Sequence, residues 1–142
     1  MEHMGKTKKI LKYWGPPVVW AVVIYWLSAI ALPISSEIYW KDFLLKKTAH
    51  IIEYGILAIL LYRGFINKGC KKNKAVIYSL LLAAFYAITD EVHQAFTPGR
   101  EPRIRDVVID ITGIALALYS VEVLLPKGPD KVKYWAKKLE LI

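Results

Sequence analysis

The run YWGPPVVWAVVIYWLSAIALPISS, residues 13–36, contains 24 residues and not one charged side chain. About 20 apolar residues in a helix cross the hydrocarbon core of a bilayer, so this run is long enough to span one. It is too long for the apolar region of a signal peptide and leads into no small-residue cleavage site. A soluble bundle with one buried helix does not need such a run. The rest of the chain agrees with the membrane reading. It has 142 residues, one domain's worth, of which 56% are hydrophobic, and a mean hydropathy of +0.34. Cys70 is the single cysteine, which excludes an intramolecular disulfide.

Three further apolar segments lie between charged flanks. Residues 48–62 carry only His50 and Glu53 as ionisable groups, while residues 75–89 and 111–121 carry no charge. Each reaches a spanning length if its helix begins or ends inside the neighbouring polar stretch. The expected spans are 14–34, 47–66, 75–96 and 104–125. Short connections imply an all-α, antiparallel four-helix bundle as a single membrane domain over residues 1–142. Residues 129–142 add a C-terminal amphipathic helix, with Val132, Trp135, Leu139 and Ile142 on one face among lysines, suited to the plane of the membrane interface. The segment SEIYWKDFLLKK, residues 36–47, mixes aromatic and apolar residues with charge and suits the opposite interface.

Lysines and arginines fall unevenly. The N-terminus, the second loop and the tail hold 14, and the first and third loops hold 6. The positive-inside rule then places both termini in the cytoplasm of a multi-pass protein of the bacterial cytoplasmic membrane. The net charge of +8 follows from that topology and from attraction to anionic lipid. No basic groove or recognition motif accompanies it, which argues against a nucleic-acid partner.

Ionisable residues gather at one end of the expected bundle. Lys47, His50, Glu53 and Tyr54 sit at the start of the second span. Asp90, Glu91, His93 and Gln94 close the third, and Arg100, Arg103, Asp106 and Asp110 lead into the fourth. Helical spacing puts Lys47, His50 and Tyr54 on one face, Asp90, His93 and Gln94 on another, and Asp106, Asp110 and Gly113 on a third. Antiparallel packing would bring these faces into one outward-facing polar pocket. Charge at such depth in a membrane is a functional-site hypothesis by default.

These motifs have a known counterpart. KTAHIIEYGILAILL, from Lys47, and YAITDEVHQAFTPGREPRIRDVVIDITGIALAL, from Tyr86, resemble the VanZ-like family of bacterial membrane proteins. The family pattern matches at Lys47, His50, Glu53, Tyr54 and Gly55. It matches again at Asp90, Glu91, Gln94, Phe96, Pro98, Gly99 and Arg100, and then at Asp106, Asp110 and Gly113. Position 110 is Asp where many relatives carry Asn. The resemblance covers residues 47–118 and implies a cell-envelope protein. The member that gives the family its name is associated with low-level resistance to the glycopeptide teicoplanin.

Several chemistries suit these residues. Lys47, Tyr54, Gln94, Arg100, Arg103, Asp106 and Asp110 can bind a polar ligand such as a lipid headgroup, a lipid-linked cell-wall intermediate or a lipoglycopeptide. His50, Glu53, Asp90 and His93 have acid–histidine spacings that can hold a divalent metal ion. Without metal, Glu91, Glu53 or Asp90 with His50 can carry general acid–base steps of a membrane hydrolase or phosphotransfer enzyme. A serine nucleophile is poorly supported, since Ser28 is expected in mid-membrane. Finally, the same charges can close on one another as an ion-pair network that fixes helix register. Cofactor and oligomeric state stay open at this level.

Overall fold

A computed structural model describes residues 5–29, 39–96 and 103–142. Its helices are α1 (Lys6–Ala29), α2 (Tyr39–Asn67), α3 (Lys72–Gln94), α4 (Ile104–Tyr119) and α5 (Asp130–Lys138). Helix α4 runs on through a π-helical turn at Ser120–Leu124 and a 3-10 turn at Leu125–Lys127. Among the described residues there is no strand, and four helices are long and apolar enough to cross a membrane. Helix α2 opens at Tyr39, well before the expected start at 47, so helix continues through much of the polar segment read as interfacial. That segment's first residues and several of its side chains lie outside the described residues, as does the connection 97–102 with Arg100. At the other end of α2, Gly69 adopts φ +93°, open to a residue without Cβ, and Cys70 N–H donates to Phe65 O at 3.1 Å.

Small residues let the helices approach. Ala75, Ser79, Ala83 and Ala87 recur every four residues on the buried face of α3. Tyr54, Leu57, Ala58, Leu61 and Tyr62 of α2 face Ile114 and Leu118 of α4 and Val121 beyond it in the same core. Consecutive helices run antiparallel, which leaves α2 and α4 parallel, and these two make the closest contact in the fold. A Cβ at Gly113 would lie 2.9 Å from both Cα and O of Ile51, and one at Gly55 would lie 3.3 Å from Ala117 Cβ. Two glycines thus bring two backbones together.

Helix α1 is the peripheral member. Only 11% of its apolar stretch is buried, against 39% for that of α2. Aromatic donors tether it: Trp20 Nε1 donates to Glu53 O at 2.9 Å, and Tyr86 OH donates to Ala21 O at 2.5 Å. Pro16 and Pro17 lie inside α1 and lack the N–H that would serve the carbonyls a turn earlier. Val18, Val19, Val22 and Trp26 of α1, with Leu81 and Phe85 of α3, are exposed. On a membrane bundle these are the lipid-facing side chains, since lipid tails and Leu are equally apolar.

Helix α5 is amphipathic, as expected. Val132, Trp135 and Leu139 stay exposed together with Lys131, Lys137 and Lys138. The helix ends at Lys138, however, and the chain then turns back, so that Leu141 N–H donates to Ala136 O at 3.0 Å and the Leu141 side chain joins the core of the bundle.

Candidate functional site

The charged ends of α2, α3 and α4 meet, and each member of the α2 face finds one acid. Lys47 Nζ lies 2.6 Å from Asp106 Oδ2, one turn along His50 Nδ1 lies 3.5 Å from Asp110 Oδ1, and one turn further Tyr54 OH donates to Asp90 Oδ2 at 2.8 Å. The first two rungs join α2 to α4, and the third joins it to α3. The parallel pair therefore builds most of the site, and its glycine contact at Gly113 sits one turn below the His50–Asp110 rung. The rungs are sheltered: the Lys47 and Asp106 side chains are 15% and 14% exposed, and Asp110 is 2% exposed. A lysine ammonium and a carboxylate so withdrawn from water attract more strongly than at a surface, but their desolvation opposes that gain.

Asp90 is the hub of the inner layer. Besides Tyr54 OH it accepts from Gln94 Nε2 at 2.8 Å on Oδ2 and from Ser28 Oγ at 2.5 Å on Oδ1. Three helices thus donate to one carboxyl. Ser28, expected in the middle of its span, lies in the last turn of α1 beside Asp90 at the charged end. Helix α1 begins at Lys6, earlier than the expected 14.

Glu91 faces the α3–α4 connection, where its Oε1 accepts the Arg103 N–H at 2.8 Å. This bond ties down the residue before α4, whose backbone is extended and has no side-chain cap. Arg105 Nε lies 3.6 Å from Asp106 Oδ1, half in water. His93 stacks on Tyr25 of α1, with ring centroids 4.3 Å apart. Glu53 lies partly buried one turn past His50, and its carbonyl receives Trp20.

The expected ligand-binding residues Lys47, Tyr54, Gln94, Asp106 and Asp110 thus converge with His50 and Asp90, and Arg103 joins them through its backbone. The carboxyl opposite His50 belongs to Asp110 of α4. Among the described residues, no group of three or more His, Cys, Asp or Glu side chains lies close enough to hold a metal ion, so His50, Glu53, Asp90 and His93 do not come together as a ligand set.

Hydrogen bonding in this cluster is incomplete. Among the described residues, His50 Nδ1, Asp110 Oδ1, Asp106 Oδ1 and His93 Nδ1 are buried without a hydrogen-bond partner. At 3.5 Å the His50–Asp110 approach is longer than a good hydrogen bond. Buried polar atoms left this way are costly, and water, an ion or a ligand can satisfy them.

A second polar cluster, unforeseen in the sequence, lies at the opposite end of the bundle. There Glu140 of the tail meets Lys12 and Arg63, and Tyr62 OH donates to Glu122 of the π turn. Glu140 gave no signal because its contacts span more than 70 residues and depend on how the tail turns back.

The VanZ/LLP1 family model matches residues 5–125. No curated protein and no solved structure matches the chain.

Proposed function

The chain belongs to the VanZ-like family, and from that premise we propose that its charged end binds the polar part of a lipid-linked cell-wall intermediate or of a lipoglycopeptide, and thereby lowers susceptibility to teicoplanin. The observation that carries this reading is the group of buried atoms on His50, Asp106 and Asp110, beside a lysine, that ion-pair partners approach but that no described residue hydrogen-bonds. A network serving only to lock helices together would gain by satisfying them. A ligand bearing both donors and acceptors, as a peptide or a sugar diphosphate does, can complete them. We place this end at the outer face of the bacterial cytoplasmic membrane and both termini in the cytoplasm, on the strength of the lysine and arginine distribution.

Labelling on intact cells tests both parts. In a Cys70→Ser, Thr97→Cys protein, the new thiol neighbours the site in sequence and is expected to react with a membrane-impermeant maleimide. Teicoplanin is expected to slow that reaction, and cells carrying the protein are expected to survive more teicoplanin than cells without it. Reaction only after permeabilisation would reverse the orientation. Labelling indifferent to teicoplanin, with unchanged susceptibility, would refute the lipoglycopeptide as ligand and the effect on susceptibility.

One observation favours a hydrolase or phosphotransfer enzyme instead: the buried His50–Asp110 pair has the composition of an acid–base dyad. Multiple-turnover cleavage of a polyprenyl diphosphate by purified protein would decide for that reading over binding.

A further inference from the structure

We propose that Lys12 and Arg63 form a site for the phosphate of an anionic lipid headgroup, and that the carboxylate of Glu140 is the chain's own occupant of that site. The contact is built from both sides. Glu140 Oε1 takes Lys12 Nζ at 2.6 Å and Oε2 takes Arg63 Nη2 at 3.0 Å. Tyr13 OH reaches Oε1 at 3.4 Å, and the Tyr13 ring lies 5.1 Å from Lys12 Nζ and 5.3 Å from the Arg63 guanidinium carbon. Two cations on an aromatic platform share one carboxylate, which leaves a positive charge over. Among the described residues, Arg63 Nε also finds no hydrogen-bond partner and is buried. The phosphodiester of such a headgroup presents two non-bridging oxygens and one negative charge, as the Glu140 carboxylate does, so it can take the same place on the guanidinium fork.

The occupant is held in a conformation that a side chain resists. Glu140 has φ +58°, the left-handed region, and is the one described non-glycine residue with positive φ. Its carbonyl is pinned by Asn67 Nδ2 at 3.1 Å. Lys12, and after it Arg63, hold the Glu140 carboxyl below the usual carboxylate range, so near neutral pH it departs when another anion competes and not by taking up a proton.

Position points to lipid. Lys12 immediately precedes the uncharged run of α1, and Arg63 immediately follows the apolar run of α2, so both sit where headgroups lie. Helix α5 leads straight into Glu140 and carries exposed Val132, Trp135 and Leu139 among Lys131, Lys137 and Lys138. Freed from Glu140, this helix has the composition to lie on an anionic leaflet.

The test compares wild type, Glu140→Gln and Lys12→Gln/Arg63→Gln proteins, full length, in nanodiscs of phosphatidylcholine or of equal parts phosphatidylcholine and phosphatidylglycerol. Phosphatidylglycerol retained on the protein after detergent extraction is counted by native mass spectrometry. A basic residue near a membrane surface contributes about 1 kcal/mol, so unblocking the site is expected to raise retention about fivefold in Glu140→Gln. The double variant is expected to retain less than wild type. Equal retention by wild type and Glu140→Gln would overturn the proposal, and Glu140→Gln decides even if the double variant unfolds, because it removes only the occupant. A spin label at Ile142→Cys in the Cys70→Ser background should be immobile in phosphatidylcholine and mobile once phosphatidylglycerol is present. Mobilisation by inorganic phosphate in phosphatidylcholine discs would overturn the lipid assignment in favour of a soluble anion. Mobilisation by sodium chloride at the same ionic strength would reduce the contact to a screened ion pair and overturn the site.

Discussion

Asp90 accepts hydrogen bonds from Ser28, Tyr54 and Gln94, which makes it the residue where α1, α2 and α3 are fastened together. Losing one donor and losing the acceptor are different events. Hydrogen bonds between membrane helices average about 0.6 kcal/mol each, so Tyr54→Phe should cost under about 1 kcal/mol. Asp90→Ala orphans three buried donors at once, each worth about 1–3 kcal/mol if nothing else satisfies it, and relaxation should leave a loss of about 2–4 kcal/mol. Unfolding by sodium dodecyl sulfate from mild detergent measures both, and equal losses would show that Asp90 is not the hub. Most of this layer was legible in the sequence, because a carboxyl, a tyrosine and a glutamine in apolar helices need partners. Ser28 was not, because one hydroxyl in an apolar run says nothing of the depth at which its helix crosses the others.

At the scale of elements the site depends on two parallel helices meeting at glycine. Lys47–Asp106, His50–Asp110, Ile51–Gly113 and Gly55–Ala117 succeed one another in the same direction along α2 and α4. At Gly113 a methyl group would meet Ile51 backbone at 2.9 Å, and backbone cannot swing aside; at Gly55 it would meet a methyl at 3.3 Å. Gly113→Ala is therefore expected to part the helices, to destabilise by about 1–3 kcal/mol and to weaken ligand binding with it, while Gly55→Ala should cost less. Thermal melts of both variants check the order, and a larger loss at Gly55 would contradict the packing. Helical spacing in the sequence put Gly113 on the face of Asp106 and Asp110. That the face turns to α2 was not legible, because chain order alone makes α3 the neighbour of both and says nothing about the diagonal pair. The end of the tail was not legible for a related reason: the left-handed turn at Glu140 takes Ile142 off the helical face of Val132, Trp135 and Leu139 and carries Leu141 into the core.

The whole molecule is an apolar bundle with a polar cluster at each end. Four spans were legible because charge interrupts hydrophobic sequence at regular intervals, and most of the first cluster was legible because those interruptions fall at one level. The second cluster joins Lys12, Arg63 and Glu140 from opposite ends of the chain, and only the folded chain places them together. The central claim is that the charged end built by α2, α3 and α4 holds a ligand and does not merely lock helices. Lys47 and Asp106 test it most directly, as the closest ion pair there. The measurement is the melting temperature and teicoplanin binding of wild type, Lys47→Gln, Asp106→Asn and the double variant. Removing one partner strands a sheltered charge and should destabilise by up to about 3–5 kcal/mol, and removing both should recover much of that stability. The account predicts that the double variant regains its melting temperature and still fails to bind teicoplanin. A double variant that regains both would contradict it and leave the pair as scaffold alone.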